Sequence, residues 1–378
     1  MVAFDLNEAR GFFDTRADWL HGRIDSYVRC QSPTAEPARC DAMAALIAAD
    51  LAEIGLRTEL PRVEDSAALV VGTLPDAPSP ELVMVYHHDT VWPLDGFPNM
   101  RREGARWFAP GIYDMKAGIP LGIMAIHYIY TAFPDLGPRI RFLSSPDEET
   151  MGPVSRNLVR QWAAGAAYAL VFEPPTAAGA FKQHRKGIGR CTIEFVGKAT
   201  HAGNHYAEGK SALAAAARLL PVLEGETDLA RGKTVNVGLL QGGSAVNTRP
   251  GYARMAVDVR IEEENQWQEV QDFLNAWRDE RGVVLKMTYE PVIPPMHAEH
   301  EAWRHLAAVC EQQGIPFQLG KAGGASDGNF LAKAGLKVFD GLGVPGAGEH
   351  ADHEHIQVDQ LWPTFARNVA LIRALLHQ

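Results

Sequence analysis

Apolar and polar positions fall along this chain in two distinct patterns. The first runs from the N-terminus to about Lys186. Asn7–Val28 carries apolar residues at helical spacing and predicts an opening amphipathic helix; Asp41–Ile54 predicts a second, stopped by Gly55. Short apolar runs then alternate with helical stretches. Strands are expected over Ala68–Leu74, Leu82–Tyr86, Arg139–Leu143 and Ala167–Phe172, and helices over Ala117–Tyr130 and Ser155–Ala164. This alternation predicts an α/β domain with a mainly parallel central sheet.

Beyond Lys186 the order becomes β-α-β-β-α-β: strand Arg190–Val196, helix Ser211–Leu223, strands Thr234–Leu240 and Tyr252–Ile261, helix Asn265–Glu280, strand Val283–Tyr289. That is the split βαβ order of a small ferredoxin-like α+β module. After Pro291–Pro295 the first pattern returns, with helices over Glu301–Gln313, Asn329–Ala334 and Gln360–Leu376 and a strand at Lys337–Phe339. The expected organisation is a discontinuous α/β domain of residues 1–186 and 293–378 around an inserted module of residues 187–292.

Composition narrows the function classes. With 378 residues, two domains are expected. A formal net charge of -10 argues against a nucleic-acid partner, which would need a basic face. The four cysteines, Cys30, Cys40, Cys191 and Cys310, form no C-x-x-C pair and fit a reducing compartment. The N-terminus carries acidic residues with no apolar core of a signal peptide. Ala117–Tyr130 is too short to span a membrane and is interrupted by Pro120. The expectation is a cytoplasmic protein without membrane contact.

Several predicted strands end in residues that bind metals. Leu82–Tyr86 runs into His87, His88 and Asp89; Arg139–Leu143 leads to Asp147, Glu148 and Glu149; the strand ending at Phe172 delivers Glu173; Lys337–Phe339 is followed by a glycine-rich stretch and His350. Asp114 sits in a glycine-flanked loop before a helix. Ligand sites in open α/β sheets form beyond the carboxyl ends of strands, so parallel strands would bring these groups to one rim. Singly, each has an ordinary explanation: Asp147–Glu149 as a solvated loop, Glu173 before two prolines as a turn, His350, His353 and His355 as surface histidines. Together, two histidines and three carboxylates make a ligand set for a pair of borderline divalent ions. Of the adjacent His87 and His88, only His87 keeps the His-x-Asp spacing, and His88 would face the other way in a continuing strand.

These stretches carry a family resemblance. VMVYHHDTVWP (83–93), APGIYDMKAG (109–118), SSPDEETMG (144–152), VFEPP (171–175), GKATHAG (197–203) and GAGEHADHEH (346–355) resemble the co-catalytic zinc metallopeptidase family that includes carboxypeptidase G, succinyl-diaminopimelate desuccinylase, acetylornithine deacetylase and aminoacylase. They occur in that family's order and span most of the chain.

The resemblance implies a catalytic domain holding two zinc ions, with cobalt or manganese as substitutes, and an inserted lid that also dimerises. His87 and Glu173 would serve one ion, Glu149 and His350 the other, with Asp114 bridging. Asp89 would orient His87, and Glu148 would be general base and acid. His201, Asn247 of the GG-x-x-x-N pattern and Arg260 of the D-V-R strand would bind substrate. Gly324 and Ser326 can be read either as a backbone nest for the substrate's anion or as a plain turn. The implied activity is cleavage of an amide bond beside a free carboxylate in a small peptide or N-acyl amino acid. A glutamate carboxypeptidase comes first and an N-acyl-amino-acid deacylase or aminoacylase second, with a non-catalytic binding protein on the same scaffold the reading from another class.

Overall fold

The strand Leu82–His87 is buried along its whole length. An apolar run with so little alternation belongs where both faces of a sheet are covered, and this strand lies inside the largest sheet of the molecule. The computed structural model describes residues 5–75, 77, 79–96 and 100–377. Across the sheet the strands run Arg57–Glu59, Val70–Thr73, Ile140–Ser145, Leu82–His87, Tyr168–Val171, Lys337–Asp340, Phe181–Arg185 and Met296–His297, with Leu319–Ala322 paired to Phe181–Arg185. Leu82–His87 is parallel to both neighbours, and Lys337–Asp340 is parallel to Tyr168–Val171. Val70–Thr73 is antiparallel to Ile140–Ser145, as Phe181–Arg185 is to Lys337–Asp340. The sheet is therefore mixed: its parallel centre matches the expectation, and antiparallel strands flank it. Several of the flanking strands, such as Arg57–Glu59 and Leu319–Ala322, are short and half-exposed, which is why no apolar run announces them.

Helices cover this sheet. Gly118–Ala132 is buried through most of its length, and Leu361–Leu376 packs beside it in one continuous core. Pro120 does not interrupt the first of these helices; it sits in the first turn, where no intrahelical N–H is required. The predicted opening helix is two, Leu6–Asp14 and Ala17–Arg29. At the break the Thr15 hydroxyl donates back to the Phe12 carbonyl, a local bond that competes with helix continuation.

The chain divides into two compact units. One comprises Met1–His184, His297–Ala322 and Ser326–Gln378; the other comprises Arg185–Met296 with Gly323–Ala325. The second unit carries the antiparallel sheet Thr234–Gly242, Tyr252–Ile261, Gly187–Val196 and Val284–Tyr289, in that order. Its helices are Ala212–Glu224 and Glu264–Ala276. Phe195, Leu219, Val257, Trp267 and Leu274 belong to its own apolar core. Gly189 lies so near the Trp267 ring that a Cβ there would fall 2.3 Å from it. The short segment Gly323–Ala325 belongs here because Arg185 donates to the carbonyls of Gly324 and Ala325, at 3.2 Å each.

Candidate metal centre

The first unit gathers His87, Asp114, Glu148, Glu149, Glu173 and His350. His87 ends the central strand, directly beside Ser145 of the parallel neighbour. Glu148 and Glu149 open a single helical turn just past that neighbour. Glu173 lies two residues beyond Tyr168–Val171. Three adjacent parallel strands thus deliver their acids and histidine at their carboxyl ends, as the topology requires. Asp114 comes from the irregular turn Ile112–Lys116 ahead of the helix Gly118–Ala132. His350 comes from the loop between Gly346–Ala347 and His355–Gln357, with φ of 60°. Histidine is among the few side chains that occupy this left-handed region with any frequency.

The contacts are specific. His87 Nε2 is 3.0 Å from Asp114 Oδ1 and 3.6 Å from Glu173 Oε1. His350 Nε2 is 3.1 Å from Glu149 Oε2 and 3.5 Å from Asp114 Oδ2. Asp114 therefore turns one oxygen to each histidine. Ligand atoms of His87, Glu148 and Glu173 lie within 4.8 Å of one another, as do those of His87, Asp114 and Glu149. Nitrogen and carboxylate donors in two overlapping groups that share His87 fit divalent cations of the zinc, cobalt or manganese kind.

Asp89, wholly buried, orders this rim. Its Oδ1 accepts the N–H of Glu148 and its Oδ2 that of Glu149, both at 3.2 Å, and Oδ2 also accepts the Thr34 hydroxyl at 2.7 Å. His87 Nδ1 faces Asp89 Oδ1 at 3.3 Å and the Asp89 carbonyl at 3.1 Å. That holds a proton on Nδ1 and aims Nε2 at the cluster. His88 is fully buried on the other side, its Nδ1 3.0 Å from the Ser144 hydroxyl.

Charge crowding is severe. Burial, then the neighbouring Glu173, push the Glu148 carboxyl well above its ordinary range. Burial raises Glu149 to about 7, against the hydrogen bond from His350. Burial would also raise Asp114, but hydrogen bonds from His350 and His87 outweigh it and hold this carboxyl well below the usual range. The same two carboxylates, Asp114 and Glu149, raise His350 to about 10. A polar rim this rich in acids is relieved by bound cations.

The remaining candidates each have their own local setting. His201, Asn247, Arg260 and Gly324 belong to the second unit. His201 is exposed, and its Nδ1 accepts the N–H groups of Gly203 and Asn204 at 3.1 Å each. Two donors on Nδ1 leave the proton on Nε2 and make His201 an outward hydrogen-bond donor. Asn247 is exposed, with its carbonyl held by Ala202 N–H. Arg260 forks onto Asp258 through Nε at 2.6 Å and Nη2 at 3.2 Å. Ser326, in the first unit, is buried as the N-cap of Asp327–Lys333; its hydroxyl donates to Asp340 at 3.0 Å and accepts Gly328 N–H at 3.1 Å. That hydroxyl is committed to the cap.

Two acids near the cluster escaped the sequence reading. Asp327 accepts the Ser145 hydroxyl at 2.7 Å and is raised to about 7 by burial. Glu354, four residues past His350, is buried against the Asp114 loop. Linear spacing offers a signal for neither: one follows a helix cap, and the other hides among the histidines of 350–355.

Comparison with known proteins gives a consistent picture. A model of peptidase family M20/M25/M40 matches residues 83–374. Carboxypeptidase G2 of Pseudomonas sp. (strain RS-16) is 28% identical over 307 residues, covering 77% of this chain and 73% of that protein. Succinyl-diaminopimelate desuccinylase of Thioalkalivibrio sulfidiphilus is 28% identical over 357 residues, covering 88% and 93%. Among solved structures, the YXEP protein of Bacillus subtilis, described as a dinuclear metal-binding peptidase, shares the fold with a TM-score of 0.72 at 14% identity, covering 97% of this chain and 99% of that one.

Proposed function

This chain belongs to peptidase family M20/M25/M40 and is a metal-dependent hydrolase, and we propose that it cleaves an amide bond next to a free carboxylate, as a carboxypeptidase of the glutamate carboxypeptidase type working with two zinc ions. The observation that carries the reading is Asp114 turned to both histidines, one oxygen to His87 and the other toward His350. In this reading His87 and Glu173 serve one ion, Glu149 and His350 the other, and Asp114 both. Two such cations, when bound, supply Lewis acidity to the scissile carbonyl and make a water acidic enough to react near neutral pH.

The chain's own residues do the rest. Glu148 is buried, with an oxygen close to the ligand atoms of His87 and Glu173, so it borders the site of one ion. Its raised proton affinity suits a base that takes a proton from the attacking water and hands it to the leaving amine. Asp89 acts through His87, which it orients. Substrate binding is assigned to His201, Asn247, Arg260 and Gly324, while Ser326, whose hydroxyl and N–H are both taken up in its helix cap, is left out of it. His201 offers Nε2–H to a developing oxyanion. For Arg260 to hold the substrate's carboxylate, it must share its fork with Asp258. A homodimer formed through residues 187–292 completes the reading, and light scattering in solution checks it.

A second reading, an N-acyl-amino-acid deacylase, is favoured by the desuccinylase similarity across 88% of the chain. The deciding experiment assays zinc-loaded protein against glutamate-terminal dipeptides, their C-terminal amides, and N-acetyl and N-succinyl amino acids. The carboxypeptidase reading expects the free-acid dipeptides to be cleaved fastest and the amides to be spared. Equal cleavage of acids and amides refutes it; preference for N-acyl amino acids selects the deacylase. Among the described residues no helix is long and apolar enough to cross a membrane.

A further inference from the structure

We propose that Glu354 is a positioning residue for the cation pair, holding the Asp114 loop in its ligating conformation and tying it to the segment that carries His350. The assignment rests on the two-cation reading above. Glu354 Oε1 accepts the N–H of Tyr113 at 3.0 Å and of Asp114 at 3.1 Å. Its Oε2 accepts the N–H of Gly111 and the indole N–H of Trp92, both at 2.8 Å. Four donors saturate an ionised carboxylate, which has about four lone-pair sites. The residue is buried.

The backbone of this turn is arranged around that anion. Gly111 is left-handed, with φ of 67°, and Asp114 and Met115 depart from helical angles. The N–H groups of Gly111, Tyr113 and Asp114 consequently converge on the two oxygens of one carboxylate, as in a backbone nest. Without Glu354 these buried donors would be unsatisfied, and the turn would rearrange to find partners. Asp114 is the residue most exposed to such a change. Its N–H is pinned by Glu354 while its carboxylate spans two histidines, so a small rotation at its Cα costs one of the two contacts. Glutamine at 354 keeps the size but presents an amide NH2 to donors, so at least one side of the nest is lost.

The test uses the full chain, stripped of metal and titrated with cobalt(II), reading d–d absorption, stoichiometry and dissociation constants. Glu354→Gln is expected to fold, with a far-UV spectrum like wild type, and to bind cobalt about 10–100-fold more weakly, as loss of an outer partner of a ligand does elsewhere. Trp92→Phe removes one donor but leaves the backbone nest, and is expected to stay within about threefold of wild type, well under that outer-partner effect. Wild-type affinity in Glu354→Gln overturns the assignment, as does an equal loss in Trp92→Phe, which would mark mere loosening of the loop. If Glu354→Gln does not fold, Glu354→Asp is judged by the same criteria: it keeps the charge but is too short to reach both ends of the nest. Failure of the wild type to take up cobalt would overturn the two-cation reading and this assignment with it, whereas wild-type uptake of two ions with an unaffected variant overturns only the role of Glu354.

Discussion

Replacing Asp89 tests how the rim is held together, because this one buried carboxylate serves three segments. Its oxygens accept the N–H groups of Glu148 and Glu149 and the Thr34 hydroxyl, and it faces Nδ1 of His87. Asp89→Ala leaves those donors buried without a partner, a loss of roughly 3–5 kcal/mol for one half of a buried charged network. Asp89→Asn is gentler. The amide oxygen can keep one of the two turn N–H groups while the NH2 faces the other, which costs roughly 1–3 kcal/mol. For a unit of this size that is a fall in Tm of about 2–5 °C. The orientation of His87 is lost in both, so cation affinity should drop about 10–100-fold. Thr34→Val is the control: it removes only the hydroxyl, costs about 1 kcal/mol, and should leave cation binding unchanged. Thermal denaturation of the metal-free protein and a zinc titration read the two effects separately. An Asp89→Asn protein that melts with the wild type and binds zinc equally well would refute the claim that Asp89 organises the site.

Three further outcomes are expected. Glu148→Gln should retain its metal content, measured by elemental mass spectrometry, while kcat falls by about 10²–10⁴-fold; near-normal turnover in the loaded variant would remove Glu148 as the base. His201→Ala should lower kcat by about 10²-fold with zinc content intact, and loss of zinc would make His201 a ligand instead. The third concerns pH. Glu149, raised to about 7, favours the folded metal-free protein below the ordinary carboxylate range and loses that contribution as pH climbs to about 7. His350, raised to about 10, contributes below the ordinary histidine range and loses its share as pH climbs further. Chelated protein should therefore lose stability with rising pH, and since cations bind the deprotonated ligands, the rise in Tm on adding zinc should be larger at pH 8.5 than at pH 6. A gain that shrinks with pH would contradict the assignment of these two groups.

Much of this was legible in the sequence, for reasons that particular elements make plain. His87, Glu149 and Glu173 follow buried parallel strands whose apolar runs are unmistakable, and parallel register places their ends together. Where the polar residue follows such a run, its location on the rim is set by topology alone. Asp114 and His350 sit on irregular turns, where a glycine-flanked loop and a glycine-rich stretch were the hints and the resemblance supplied their roles. The flanking strand Phe181–Arg185 went unseen because a polar, charge-rich stretch shows no apolar period. The break at Thr15 was hidden as well: apolar spacing continues from Phe13 to Leu20, and a hydroxyl turned onto Phe12 leaves no trace in a hydrophobic pattern. Ser326 shows the converse error. A serine after two glycines looks available for an anion, but only the fold reveals that Asp340 and the helix N-terminus occupy its hydroxyl.

The two acids Asp89 and Glu354 solve the same problem in the same way. A strand end is fixed by its neighbours in the sheet, but a ligand on a turn must be fixed by something else, because its backbone has no ladder to join. Asp89, two residues past His87, accepts the N–H groups of the turn bearing Glu148 and Glu149. Glu354, four residues past His350, accepts those of the turn bearing Asp114. In each case an acid following one histidine clamps the backbone of a segment that supplies a carboxylate. The two clamped pairs then meet at Asp114, whose oxygens face His87 and His350. Rigidity enters through the strand Leu82–His87 and passes outward by backbone hydrogen bonds to carboxylates, so the ligands can be set in place before any cation arrives. Preorganisation of this kind predicts that Asp89→Asn and Glu354→Gln each weaken cation binding in a protein that still folds without metal, and unchanged cation affinity in both would show that the rim is shaped by the cations instead.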